Sequence, residues 1–259
     1  MGARAWLLGL LAVAACGRLQ FEDRPSAGDG ATGDVPGADT STDTSVTSGI
    51  ARVQKEPATL TPIKCLSPTC TASFPSPTTA GDLIVVMITI NDIATRGVTA
   101  VSDDQGGTYV LAVERGTVQG NNYGLASIYY RENVPAAAAL NVTVAADQMT
   151  YIDVVVAEYS GMPATGAFSG MASNTCGACG AVDAGTLADG GLSVGVFTTA
   201  NADVQSITMA AGWDPLASEA TPLNAVMGAE DRIGPGNTVA SWTTGFTGPK
   251  VGVSAKFGL

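Results

Sequence analysis

The sequence predicts an all-β protein: a jelly-roll-like, two-sheet antiparallel β-sandwich built from two pseudo-repeats over residues 49–259. Three observations predict it. From Gly49 onward, period-two or wholly apolar runs alternate with clusters of Gly, Pro, Asn and Asp, as short strands and tight turns do. No convincing helical stripe longer than two turns interrupts that pattern. The strand-like segments of the first half also return in the same order in the second, the kind of internal repetition that defines an architecture. Composition agrees, since 32 glycines and only 14% charged residues suit a β-rich extracytoplasmic protein with many turns.

The first element lies outside that domain. Residues 1–15 hold one basic residue, Arg4, and the apolar run AWLLGLLAVAA, about half of the roughly twenty residues a spanning helix needs. That is the length of a signal peptide. Val13-Ala14-Ala15-Cys16, followed by Gly17, resembles the lipobox of bacterial lipoproteins, in which signal peptidase II cuts before the cysteine and the thiol takes a diacylglyceryl group. The resemblance covers residues 1–17 and implies lipidation at Cys16. It also implies anchoring in the cell envelope, at the outer membrane in preference to the inner. Each buried methylene contributes about 0.8 kcal/mol, so two or three acyl chains hold firmly where one does not. Residues 16–48 are nearly empty of large apolar side chains after Phe21 and cannot offset their ordering entropy by burial, which predicts a flexible acidic linker. Asp29, Asp34, Asp39 and Asp43 recur along it without the alternate-residue spacing of an EF-hand loop, which favours a solvated tether over a calcium site.

Within the domain, strands are predicted at LIVVMITI from Leu83, VTAV from Val98, TYVLAVE from Thr108 and LASIYYRE from Leu125. LNVTVAA from Leu140 and YIDVVVAEY from Tyr151 follow, and SDDQGGTY reads as a turn by its Asp and Gly content. In the second half Gly190-Gly191-Leu192 answers Gly81-Asp82-Leu83, Trp213 answers Tyr109, DRIGP answers RENVP and Phe257 answers Tyr159. Each repeat supplies four or five strands, too few for a separate seven-stranded sandwich, so one shared sandwich is expected.

The strings GDLIVV, DDQGGTY, IYYRENV and EYSG are similar to a β-sandwich module widespread in secreted and surface-attached bacterial proteins. The resemblance covers roughly residues 74–259 and implies a fold and an exterior location without implying an activity. The chain departs from the usual module in reading DDQGGTY where DSAGNTY is commoner.

Chemistry is bounded mainly by what is missing. There is no histidine, which removes Ser-His-Asp and Cys-His nucleophiles and every His-containing metal site. Beyond Ala15 the chain carries eleven basic residues against twenty-three acidic ones, which opposes binding to nucleic acid. Cys65 with Cys70 and Cys176 with Cys179 open the two repeats, and Cys70 to Cys179 spans the same 109 residues as Gly81 to Gly190. Two local disulfides lead, ahead of cross-pairing between repeats, a four-Cys zinc site and a redox Cys-x-x-C. Asp103 and Asp104 are read as turn residues before calcium ligands. Asp153 and Glu158 fall on opposite faces of one strand, so no carboxylate pair is placed for glycoside chemistry. The expected protein is therefore no enzyme and needs no cofactor or metal. In LASIYYRE, alternation groups Ser127, Tyr129 and Arg131 on one face, expected outward, which makes Tyr129 and Arg131 the candidate ligand platform. Two functions lead, a lipid-anchored binding or adhesion module with glycan as a candidate ligand and a structural lipoprotein that packs against other envelope proteins, with a glycoside-active enzyme a distant third.

Overall fold

A computed structural model describes residues 49–200, 204, 206–221 and 225–258, so the signal sequence, Cys16 and the acidic linker lie outside the described residues. Those residues fall within one compact unit. They contain thirteen strands and no helix. The first repeat contributes β1 (Ala51–Glu56), β2 (Ile63–Ser73), β3 (Leu83–Asp92), β4 (Val98–Asp103), β5 (Val110–Gln119), β6 (Asn122–Arg131) and β7 (Asn141–Ser160). The second contributes β8 (Phe168–Thr186), β9 (Leu192–Thr199), β10 (Ile207–Met209), β11 (Asp214–Thr221), β12 (Ala225–Ile233) and β13 (Val239–Phe257). These make a seven-stranded antiparallel sheet of order β1-β7-β3-β6-β5, with β2 and β4 also on β7, and a six-stranded one of order β10-β13-β9-β12-β11, with β8 on β13. The chain is thus a two-sheet antiparallel β-sandwich. It crosses between the two sheets once, from β7 to β8.

Each repeat holds more strands than the four or five expected, because β1, β2, β8 and β10 carry too weak a pattern to be predicted, while one long strand in each repeat serves two layers. The segments LNVTVAA and YIDVVVAEY are two ends of β7. Ser67 pairs with Thr150 and Thr69 with Ala145, so two steps along β2 answer five along β7. In the second repeat Cys179 pairs with Gly248 and Ala181 with Thr243, the same two-to-five mismatch in β13. Such irregularities bend a strand and raise its twist. Beyond the bend, the first end of β7 pairs with β2 and β4, and the second end with β1, β2 and β3.

The bend explains three cores where a simple sandwich has one. Leu83, Val85, Met87, Val155 and Tyr159 of the first sheet meet Leu192, Val194, Val253 and Phe257 of the second. The opposite faces are covered as well. Ile84, Val86, Ile88 and Val156 pack with Val101, Val142 and Val144 inside the first repeat. Phe197, Trp213, Val226 and Trp242 pack together inside the second.

Register supports the repeat and corrects its detail. Leu83 stands opposite Tyr159 as Leu192 stands opposite Phe257, which equates β3 with β9 at an offset of 109 and β7 with β13 at 98. Ile84 faces Arg131 and Ser193 faces Arg232, so β6 matches β12 at 101 and the RENVP and DRIGP strings are one residue out of step. The cysteines lie in two local pairs at disulfide distance, with Sγ atoms 2.06 Å apart in Cys65–Cys70 and 2.33 Å in Cys176–Cys179. Their second members are not equivalent, however: Cys70 lies past the bend opposite Val144, and Cys179 before it opposite Gly248.

Equivalent positions have diverged in compensating ways. At one corner Tyr159 and Arg52 both donate to the buried Asp231, each at 2.7 Å. The matching corner holds Phe257, Phe168 and Tyr130, with ring centroids 5.3 to 6.0 Å apart. Likewise Val86, Ser127, Val154 and Val144 of the first repeat become Gly195, Gly228, Gly252 and Trp242. A Cβ on those three glycines would come within 3.0, 2.8 and 2.7 Å of the Trp242 ring. One indole fills the volume that several side chains share in the first repeat. Trp242→Val should therefore cost about 3 kcal/mol or more by leaving a cavity. Adding Gly195→Val and Gly252→Val should restore part of that loss, which denaturant unfolding of the single and triple variants checks.

Candidate functional site

The expected platform residues are not on an open face. Tyr129 is only 8% exposed and belongs to the first repeat's own core, because the bent end of β7, with β2 and β4, covers the sheet face that alternation alone would leave outside. Arg131 turns to the turn residue Asp103 and forms an ion pair with it. The other oxygen of Asp103 accepts the amides of Gln105 at 3.0 Å and Gly107 at 2.8 Å, and Tyr109 Oη reaches Oδ2 at 3.3 Å. A Cβ at Gly107 would fall 1.7 Å from the Arg131 guanidinium, so that glycine is needed for the close approach. Asp104 is held by Asn141, whose Nδ2 donates at 2.6 Å. These acids lock a turn, which accounts for the DDQGGTY string without a cation.

Asp153 and Glu158 lie on opposite faces of β7 as alternation requires, and both are buried. Glu158 accepts the Thr79 amide at 2.8 Å and Gln54 Nε2 at 2.5 Å. Its neighbour Asp82 is pushed up to about 6, first by desolvation and then by Glu158. Asp153 has no hydrogen-bond partner on either oxygen. Desolvation raises it to about 7, opposed by Lys64 and assisted by Glu219. Lys64 and Glu219 pair with each other at 3.0 Å. In the second repeat Glu230 is pushed to about 8 by burial although it accepts the amides of Ala210 and Ser241. No two of these carboxyls face each other across an open cleft in a way that acid-base catalysis uses.

An open concavity lies elsewhere, between the edge strands β5 and β8. It has a volume of about 560 Å³ and is lined by Leu111, Ala112, Val113 and Arg115 on one side and Met171 and Ala172 on the other. A bulge between Leu111 and Val113 breaks the alternation of β5. Val110 and Leu111 consequently both reach solvent, at 56% and 46% exposure, beside Met171 at 62%. Glu114 also lines the groove, and burial raises its carboxyl. No ion pair reaches Arg115 among the described residues. Apolar contact area with one unpaired cation suits recognition better than bond-breaking. Sequence reasoning missed this site because β8 reads as Gly, Ala and Ser with no apolar alternation. The only hint was Val110-Leu111, two adjacent apolar residues in the predicted strand TYVLAVE. No protein-family model, curated protein or solved structure matches this chain.

The buried acids make a pH prediction. Asp82, Asp153 and Glu230 have folded pKa values above the unfolded values near 4, so the folded state binds more protons between about pH 4 and pH 8. Their contribution is fully present below the unfolded pKa and is lost as pH rises through the folded one. The melting temperature should therefore fall from pH 5 to pH 8, and Asp153→Asn should flatten the fall. A melting temperature that rises over that interval would contradict protonated buried carboxyls.

Proposed function

We propose that this chain is a lipid-anchored, extracytoplasmic protein of a bacterial envelope, held at the outer membrane through Cys16, whose sandwich serves as a binding module for a protein partner. The observation that carries the binding reading is the groove between β5 and β8, with Leu111 and Met171 exposed at its rim. Apolar side chains grouped at a concave edge are an unfavourable arrangement in water unless something covers them. A protein partner is favoured over a glycan because no aromatic side chain among the described residues lines the groove, and sugar faces stack on aromatics. Binding is favoured over catalysis because the chain lacks histidine and the clustered carboxylates Asp103, Asp104, Asp153 and Glu158 are committed to a turn or to burial. Two local cysteine pairs agree with an oxidising compartment.

A photo-reactive residue at position 171 in the full chain, expressed in a bacterium with an outer membrane, tests both halves of the reading. A discrete adduct should form in the membrane fraction and disappear with Leu111→Asp, while Cys16→Ala should move the protein out of that fraction. Adducts indifferent to Leu111→Asp, or membrane association indifferent to Cys16→Ala, would contradict it.

A further inference from the structure

The edge strands β5 and β11 are equivalent, and among the described residues only β11 has its outer main chain bonded by another segment. β5 and β11 each pair with one neighbour and carry the same irregularity, between Leu111 and Val113 and between Pro215 and Ala217. Residues 111–115 therefore correspond to 215–219. On the facing strands, Met171 and Ala172 stand opposite Ala255 and Ser254 as Lys55 and Glu56 stand opposite Ala157 and Val156. Asn174 faces Gly252 as Ile63 faces Val154. The second repeat passes from Ala172 to Asn174 through Ser173 alone. At the same place the first repeat inserts six residues, 57–62, with the sequence PATLTP.

That insertion covers β11. Leu60 accepts the Ser218 amide at 2.8 Å, Lys55 Nζ donates to the Leu216 carbonyl at 3.0 Å, and Lys64 pairs with Glu219 at 3.0 Å. In the groove the corresponding residues are Glu114, Ala112 and Arg115, and Thr175 stands where Lys64 does. Among the described residues no main-chain bond from another segment reaches Glu114. The charge is also reversed: a guanidinium replaces the carboxylate, and its partner is missing.

We propose that the groove between β5 and β8 takes a peptide segment of a partner protein that completes β5 as residues 57–62 complete β11. The segment gives a main-chain carbonyl to the Glu114 amide, an apolar side chain to Leu111 and Met171, and a carboxylate to Arg115. Main-chain pairing supplies affinity and the side-chain pockets supply choice, as in other additions to a sheet edge. This inference rests on the binding-module reading and names the occupant of that site.

Two labelled peptides, PATLTPID and PATLTPIK, test it against the full chain in detergent by fluorescence anisotropy. The Asp-ended peptide should bind roughly fivefold more tightly at low salt, as an exposed ion pair exchanged for a like-charge contact allows. Arg115→Glu should reverse the preference. Inserting PATLTP between Ala172 and Ser173 should fill the groove from within and abolish binding of both peptides, with folding checked by thermal melting. Lack of binding, absence of charge preference, or a preference unmoved by Arg115→Glu would overturn the proposal. So would sedimentation showing dimers that Arg115→Glu dissociates, since the occupant would then be a second molecule of this chain. Adducts from position 171 without charge-selective peptide binding would sink this inference and leave the binding-module reading standing.

Discussion

The bend in β7 and β13 is the constraint on which the rest of the structure depends. Two residues of the partner strand pass five of the long strand at each bend, and the strand leaves one layer and enters another. A sheet that folds over itself buries both faces of its central strands, which is why β3 can be apolar at every position from Leu83 to Ile88. Each repeat then owns a core and still has a face to share. The shared face joins the repeats, and the strands farthest from each bend, β5 and β11, become the edges. Edges left with unpaired main-chain groups invite another chain, so a protein must cover them or use them. Here residues 57–62 bond to one, and among the described residues no main-chain bond from another segment reaches the other, which β8 faces across a groove.

Much of the fold was legible because strong local signals coincide with tertiary roles. β3 and the second end of β7 are rich in Val and Ile, and β-branched side chains fit a pleated, packed surface. Gly81 and Gly190 keep φ values of 94° and 80°, which few other residues adopt, so the turn before each repeat's central strand survives as glycine. Tyr159 and Phe257 survive as large rings because both fill the shared core. β8 escaped notice because it is an edge strand of small residues, held by thirteen residue pairs with β13 and hardly by its own packing. Alternation correctly sorted Ser127, Tyr129 and Arg131 onto one face of β6. It could not say that the chain itself returns to cover that face.

The groove was illegible for a related reason. Its residues carry no motif, and its meaning comes from a comparison that needs register: six inserted residues after Glu56 against one residue after Ala172. The offset of 109 between Cys70 and Cys179 looked like support for the repeat and was a coincidence of loop lengths. Equivalent positions also differ freely in chemistry. Asp231, Arg52 and Tyr159 occupy the corner that Tyr130, Phe168 and Phe257 occupy on the other side. Burial imposes volume and satisfaction of polar atoms, and either a paired charge or a ring cluster meets both requirements. Residue identity alone therefore hides the symmetry that the register exposes.

The central claim is that two equivalent sheet edges differ in being covered and open, and amide hydrogen exchange reads it directly. The Ser218 amide, bonded to the Leu60 carbonyl, should exchange at a rate set by opening of the folded domain. The Glu114 amide, at the matching position of β5, should exchange far faster under the same conditions. Comparable protection of the two amides in the free protein would contradict an open β5 edge and the account built on it.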